Sequence, residues 1–279
     1  MKNNLIHVCF VIDESGSMYG SENDVVGGFN KTINEQREVE GGECIVSYFK
    51  FADNVKEMFI GKKLEDVKPM TVSKNNWAEK YISSSNALTS SVNTIFDNVV
   101  DTINTAFDNL IAVNAVKTEI IDTTFVYSPN GCTAMNDGIG TAIDRIGKWL
   151  ADMPEEERPS KNLIVIMTDG EENSSKEYSL NKVKEMIQHQ TEKYNWTFVY
   201  MGMDITSADC AENLGINNRS FSSKSSYDTY KNYDNISSAV KCYRMSDASF
   251  ADELMCSNLA MSLNEMTASY ETKVGIKID

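Results

Sequence analysis

The chain has 279 residues, 41% of them hydrophobic, and a formal net charge of −15 at pH 7. This hydrophobic content can build a packed core and excludes a chain that is disordered throughout. The negative charge argues against binding to nucleic acid or to an anionic membrane surface, because both repel an acidic protein. No segment approaches the roughly 20 apolar residues that a membrane-spanning helix needs. The N-terminus carries no export signal, so we expect a cytoplasmic protein.

The six cysteines include no C-x-x-C pair. Cys9 and Cys44 fall within apolar runs that resemble β-strands, where cysteine behaves as a small hydrophobic residue. We therefore expect buried reduced thiols rather than disulfides or a zinc site.

The first part of the chain contains three strand patterns and one helix pattern. Ile6 to Ile12 is a continuous apolar run, which is typical of a parallel strand covered on both faces. A helix is predicted from Ser21 to Glu38, with Ser21 as its N-cap. Strands follow at Cys44–Phe51 and Val55–Ile60, and the short turn between them predicts an antiparallel hairpin.

The later part of the chain alternates helix and strand patterns. Helices are predicted at Ala134–Leu150, Lys176–Tyr194, Ser207–Leu214 and Tyr227–Arg244, and strands at Leu163–Met167, Trp196–Met201 and Arg219–Phe221. This alternation predicts an α/β fold: a Rossmann-like open, mostly parallel sheet with one antiparallel edge hairpin and helices on both faces.

One internal segment, residues 71–122, interrupts the alternation within a domain that we expect to span residues 1–244. Asn93–Val100 and Asn104–Ile111 form a near-repeat with an 11-residue offset, which places matching residues on nearly the same helix face. We expect a mainly helical insertion with one long helix at about 86–116. Its apolar stripe packs on its own domain or docks a partner.

The last segment, residues 245–279, is rich in methionine and serine. We expect a C-terminal tail with one helix, from Phe250 to Tyr270.

Five oxygen-bearing side chains occupy positions where strands end and a helix begins. Asp13, Ser15 and Ser17 alternate after the first apolar run, Thr133 precedes a predicted helix, and Asp169 follows the Leu163–Met167 strand. Sites in open parallel sheets form beyond the carboxyl ends of the strands, so Asp13 and Asp169 are expected at the same edge. Two carboxylates near one point repel unless they are protonated or bridged by a cation. Hard oxygen donors suit Mg²⁺ or Mn²⁺.

In this order and context, the five residues resemble the metal-ion-dependent adhesion site of von Willebrand factor A (VWA) domains. The segments Pro129-Asn130-Gly131-Cys132-Thr133-Ala134 and Trp196-Thr197-Phe198-Val199-Tyr200-Met201-Gly202 resemble the intracellular bacterial and phage branch of that family. The resemblance covers about residues 4–70 and 123–244. It implies a cytoplasmic location, or the host cytoplasm if a phage encodes the chain.

The resemblance also implies roles for the five residues. Ser15, Ser17 and Thr133 would bind Mg²⁺ through their hydroxyls, and Asp13 and Asp169 would act directly or through waters. A carboxylate from a protein partner would take the remaining position.

Four acidic residues lie near the predicted site. Glu14, Glu171 and Glu172 border it and are interpreted as solvated loop carboxylates. Asp204 follows a predicted strand and fits either a position behind the site or a simple turn.

His7 and His189 are interpreted as structural, because neither belongs to a recognisable catalytic triad with serine or cysteine. The chain also has no glycine loop of the phosphate-binding kind. The sequence therefore favours a non-enzymatic, Mg²⁺-dependent protein-binding module. Two alternatives stay open: a metal-dependent hydrolase such as a phosphatase, which would use the cation as a Lewis acid, and a phage or bacterial structural or assembly protein with a vestigial site.

Overall fold

A computed structural model describes residues 1–73, 125–169, 172–202, 208–221 and 226–245. The chain divides into two compact units, Met1–Val72 with Tyr127–Asp279 and Ser73–Val126. The predicted insertion helix at 86–116 and tail helix at Phe250–Tyr270 lie outside the described residues.

Six strands of the first unit form one open sheet. In chain order the eight strands of the described residues are β1 (Lys2–Asp13), β2 (Glu43–Phe51), β3 (Val55–Lys63), β4 (Thr71–Val72), β5 (Val126–Tyr127), β6 (Pro159–Thr168), β7 (Trp196–Gly202) and β8 (Asn218–Phe221). The order in the sheet is β3-β2-β1-β6-β7-β8, and β4 and β5 lie outside it. All neighbours are parallel except β2 and β3. The mostly parallel sheet with one antiparallel edge hairpin is confirmed.

The two central strands, β1 and β6, are longer than their apolar runs predicted. β1 pairs with β2 from Leu5 to Asp13 and with β6 from Lys2 to Ile12. A strand with a partner on each side satisfies its backbone donors and acceptors beyond its apolar residues, so it extends further. The chain leaves β1 toward β2 and leaves β6 toward β7, so the strand order reverses between these central strands. In open α/β sheets this reversal marks the place where ligands bind.

Five α-helices occur among the described residues. They are α1 (Glu22–Arg37), α2 (Met135–Asp152), α3 (Leu180–Tyr194), α4 (Ala208–Asn213) and α5 (Ser226–Met245). Each agrees with its predicted range within two residues at both ends, except at the start of α3. None of the helices in the described part of the chain combines the length and apolar character that a membrane span requires.

One helix start differs from the sequence prediction, and one predicted N-cap makes no capping bond. The helix predicted from Lys176 begins at Leu180, because the Asp137 carboxylate accepts hydrogen bonds of 2.8 to 2.9 Å from the three amides of residues 176–178. Those bonds hold the segment in a loop, as side-chain capture of backbone donors does at helix ends. At α1, Ser21 occupies the N-cap position but its side chain makes no capping bond.

Helices cover both faces of the sheet, as predicted. On one face α2, α3 and α4 pack against alternate strand residues such as Val11 and Ile166. On the other face the ring of Phe29 in α1 lies 5.2 Å from that of Phe10, and the Tyr233 hydroxyl of α5 lies 3.0 Å from Met167 Sδ. Helices of the described chain therefore cover both faces of the central strands.

Cys9, Cys44 and Cys132 carry free thiols. Cys9 and Cys44 are buried as expected, Cys210 is half-buried, and Cys132 is exposed. Burial raises the pKa of the Cys44 thiol to about 12, so it stays protonated at neutral pH.

Candidate metal centre

The carboxyl end of β1 holds the Asp13 side chain in a fixed position. Its Oδ1 accepts a 2.7 Å hydrogen bond from the Ser15 amide, and its Oδ2 accepts a 2.6 Å bond from the Thr168 hydroxyl at the end of β6. Asp13 and Ser15 are fully buried. Side chains thus join the two central strands where both end, and the Ser15 turn is hydrogen-bonded to the same carboxylate.

Two serines and the second carboxylate form a chain of short contacts beside Asp13. Ser15 Oγ lies 2.9 Å from Ser17 Oγ, and the Ser17 hydroxyl donates a 2.6 Å hydrogen bond to Asp169 Oδ1. Ser17 and Asp169 are 152 residues apart in the chain. Parallel pairing of β1 and β6 therefore brings four of the five residues singled out in the sequence to one edge of the sheet.

The fifth residue, Thr133, is buried in the loop that leads into α2. Its amide donates a 2.8 Å hydrogen bond to Asn173 Oδ1, and its carbonyl accepts from the Asn173 amide at 3.1 Å. The same loop meets the serine turn, because the Gly16 amide donates to the Gly131 carbonyl at 2.9 Å. The described hydrogen bonds do not join the Thr133 hydroxyl to the other four residues.

Burial raises the pKa of the Asp13 carboxyl to about 6. Hydrogen bonds from Thr168 and Ser15 act in the opposite direction, while the negative charge of Asp169 raises the pKa further. Two carboxylates held near one point in a buried setting carry an electrostatic cost that a bound cation would offset.

The donor set fits a hard divalent cation. Within the part of the chain that the structure describes, no three His, Cys, Asp or Glu side chains cluster as metal ligands. The oxygen donors gathered here are hydroxyls together with the carboxylates of Asp13 and Asp169. Oxygen donors without nitrogen or sulfur suit Mg²⁺ or Mn²⁺ better than Zn²⁺.

Glu14 is not the solvated carboxylate that the sequence suggested. It is 8% exposed, and its Oε1 lies 2.8 Å from the Nζ of Lys50, which is also 8% exposed. A charged residue inside the apolar β2 run was the one local signal of such a pair, because a buried lysine needs a partner.

Glu172 is also engaged with the protein rather than with solvent alone. Its carboxylate accepts hydrogen bonds of 2.8 to 2.9 Å from the amides of Asn136, Ser174 and Ser175, so it joins the loop after β6 to the first turn of α2. Glu171 and Asp204 lie outside the described residues.

His7 has a serine partner that the sequence did not reveal. Its Nε2 lies 2.7 Å from Ser47 Oγ and its Nδ1 lies 3.2 Å from Asn162 Oδ1. His7 and Ser47 are 0% exposed, so a substrate cannot reach them. Burial lowers the pKa of His7 to about 4, which keeps the ring neutral within the core. His189, by contrast, lies exposed on α3.

Gly131 is required by the geometry of the loop that carries Thr133. Its φ is +83°, and a Cβ at this position would lie 2.1 Å from Asp53 Oδ2. The other Asp53 oxygen accepts a 3.0 Å hydrogen bond from the Cys132 amide, so the carboxylate cannot withdraw without losing that bond. The backbone conformation and the close approach both select glycine.

Gly131→Ala is expected to destabilise the protein more than Gly20→Ala. Gly20 has a similar φ of +88° but nothing within 4 Å of its Cβ position. Alanine there costs only the strain of a left-handed backbone conformation, about 1 kcal/mol. Alanine at position 131 adds displacement of Asp53 and a lost hydrogen bond, about 1 kcal/mol more. Urea unfolding of the two variants measures the difference, and equal losses would contradict the assigned role of Asp53.

The sequence matches no family model and no curated protein. Solved structures do show similarity. Proximal thread matrix protein 1 from the mussel byssus, with a zinc-occupied MIDAS motif, is 16% identical at a TM-score of 0.48, over 85% of this chain and 46% of that one. A von Willebrand factor type A structure from Catenulispora acidiphila is 12% identical at 0.43, over 87% and 43%. Manganese-loaded TRAP protein from Plasmodium vivax is 13% identical at 0.43, over 83% and 73%.

This chain spans about half the length of the mussel and Catenulispora structures. Because the identities and scores are low, the candidate site is assigned from its own geometry. The strand order, the antiparallel edge strand and the enclosed central pair define an open, mostly parallel α/β fold.

Proposed function

We propose that this chain is a divalent-cation-dependent protein-binding module. Asp13, Ser15, Ser17, Thr133 and Asp169 hold Mg²⁺ or Mn²⁺ at the carboxyl edge of the sheet. A carboxylate from a protein partner completes the coordination of the cation.

One observation carries the proposal: the contacts that join Ser15, Ser17 and Asp169, at 2.9 and 2.6 Å, at the ends of the two central strands. Oxygen donors gathered at the strand-order reversal form a site of the kind that hard cations use. Neutral hydroxyl ligands leave the cation with much of its positive charge, so an acidic side chain is the ligand that it attracts most strongly.

The proposal includes a non-enzymatic role. The hydrogen-bonded serine and histidine of the described chain, Ser47 and His7, are enclosed in the core and cannot act on a substrate. We also propose a cytoplasmic location, which the free thiols of Cys9 and Cys44 support, because cytosolic proteins keep their cysteines reduced.

Ser17→Ala and Asp13→Ala are each expected to abolish Mn²⁺ binding at a single site, as measured by titration calorimetry. Ser17 is exposed, so its loss removes a donor with little effect on packing. Asp13 also fixes the Ser15 amide and the Thr168 hydroxyl, so its variant tests the site more severely. Ser238→Ala, the same substitution at an exposed position on α5, serves as the control and should bind as the wild type does.

Unchanged Mn²⁺ binding by both site variants would overturn the metal assignment. Removal of the cation by EDTA should leave the domain folded, because its core rests on the sheet and helices.

Copurification from the native source tests the partner. A protein that the wild type and Ser238→Ala both retain should be lost when EDTA is added and when Ser17→Ala is used. Retention under all four conditions would contradict a cation-dependent contact.

A further inference from the structure

Glu14 stands between two proposed cation ligands, yet its carboxylate faces a lysine rather than the candidate cation site. The 2.8 Å ion pair with Lys50 is buried on both sides. Burying two charges costs about as much in lost solvation as their attraction returns, so such a pair is often no more stabilising than two apolar residues. A gain in stability therefore does not explain why a buried ion pair lies next to the candidate cation site.

The contacts of Glu14 join three segments of the chain. Its Oε1 accepts a 2.7 Å hydrogen bond from the Ser128 amide, in addition to the contact with Lys50. Its carbonyl accepts from the Asn130 amide at 2.8 Å, and its own amide donates to the Phe51 carbonyl at 2.7 Å. One residue thus connects the end of β2, the turn after β1, and the segment that leads to Thr133.

Two neighbouring hydrogen bonds also join the turn after β1 to the segment that leads to Thr133. The Tyr127 hydroxyl donates a 2.6 Å hydrogen bond to the Asp13 carbonyl, and the Gly16 amide donates to the Gly131 carbonyl at 2.9 Å. Residues 127–131 therefore run along the Asp13–Ser17 turn, attached at several points. Among these contacts, the hydrogen bond from the Ser128 amide is made to a charged group, the Glu14 carboxylate. Lys50 fixes the position of that carboxylate.

We propose that the Lys50–Glu14 pair is a positioning device that holds the Thr133 loop against the Asp13–Ser17 turn and so presets the spacing of the cation donors. This inference rests on the proposed function, because the donors are those assigned there. Groups that orient ligands from behind typically change metal affinity by about 10- to 100-fold when they are removed. Both residues act through others and are not themselves ligands.

Glu14→Gln and Lys50→Met probe the two halves of the pair. Glutamine keeps an acceptor for the Ser128 amide but removes the charge, whereas methionine keeps the chain length at position 50 and leaves the Glu14 carboxylate without its counter-ion. The double variant removes both charges together. Ile187→Val, on the buried face of α3, lowers stability without touching these contacts and serves as the matched control.

Titration calorimetry with Mn²⁺ should show affinity lowered about 10- to 100-fold in each single variant and unchanged in Ile187→Val. The double variant should lose less than the product of the two single losses, because two residues that act as one unit are not additive. Wild-type Mn²⁺ affinity in folded Glu14→Gln and Lys50→Met would overturn the inference.

Amide hydrogen exchange without metal provides a second measurement that does not depend on cation binding. Exchange at Ser128 and Asn130 should be faster in both single variants than in Ile187→Val. If the wild type binds no Mn²⁺, the proposed function fails. Faster exchange would then still support the positioning role, whereas exchange equal to that of Ile187→Val would overturn it as well.

Discussion

Gly28→Ala is expected to lower the free energy of unfolding by about 3 kcal/mol, the upper part of the range for overpacked cores. A Cβ on Gly28 of α1 would lie 2.0 to 2.3 Å from three ring atoms of Tyr233 in α5. Tyr233 is 1% exposed, and its hydroxyl contacts Met167 Sδ in the sheet. The ring has no space to withdraw, so the two helices must separate, and apolar contacts along their interface are lost.

Gly147→Ala is the matched control, and it should change stability in the opposite direction. Gly147 lies within α2 with nothing inside 4 Å of its Cβ position. Alanine there should raise the free energy of unfolding by about 0.5 to 1 kcal/mol, because it restricts the unfolded chain. Urea denaturation followed by circular dichroism measures both. A Gly28→Ala variant as stable as the wild type would show that α1 and α5 are not packed this closely.

The free energy of unfolding is expected to fall by about 3 kcal/mol between pH 7 and pH 4 because of His7 alone. The pKa of His7 is lowered by burial to about 4 in the folded state, against 6.5 for an ordinary histidine. As the pH drops below 6.5, His7 binds a proton in the unfolded chain but stays neutral in the folded protein. The stabilisation is therefore complete above pH 6.5 and is lost as the pH approaches 4.

The pH effect is isolated by comparing variants, because carboxylates also titrate in this range. The chain has two histidines, His7 and His189. Urea unfolding at several pH values should give a pH dependence of the free energy of unfolding that is shallower by about 3 kcal/mol in His7→Gln than in His189→Gln. Identical pH dependence in the two variants would show that His7 is not held neutral in the core.

Features that depend on neighbouring residues could be predicted from the sequence. The apolar run Ile6–Ile12 predicted a central strand, and helix and strand patterns in alternation predicted the mostly parallel sheet. That sheet in turn placed the ends of two strands, and hence Asp13 and Asp169, at one edge. Each step used only local periodicity and the general behaviour of parallel strands.

Features that depend on distant partners could not be predicted in this way. The Glu14–Lys50 pair joins residues 36 apart, and the His7–Ser47 contact joins residues 40 apart. Capture of the residue 176–178 amides by Asp137 shortened a helix whose own sequence favoured an earlier start. In each case a side chain far along the chain decides the local environment, and the local pattern does not identify that partner.

The pairing of β1 with β6 also has a kinetic consequence. Asp13 and Thr168 meet although they are 155 positions apart in the chain. Closing so long a loop has a large entropic cost, and contacts of this separation form slowly during folding. The four oxygen-bearing side chains that meet at the sheet edge come together only when this closure is complete. A cation would therefore find no high-affinity position on early, partly folded states, and its uptake would report that the central strands had joined.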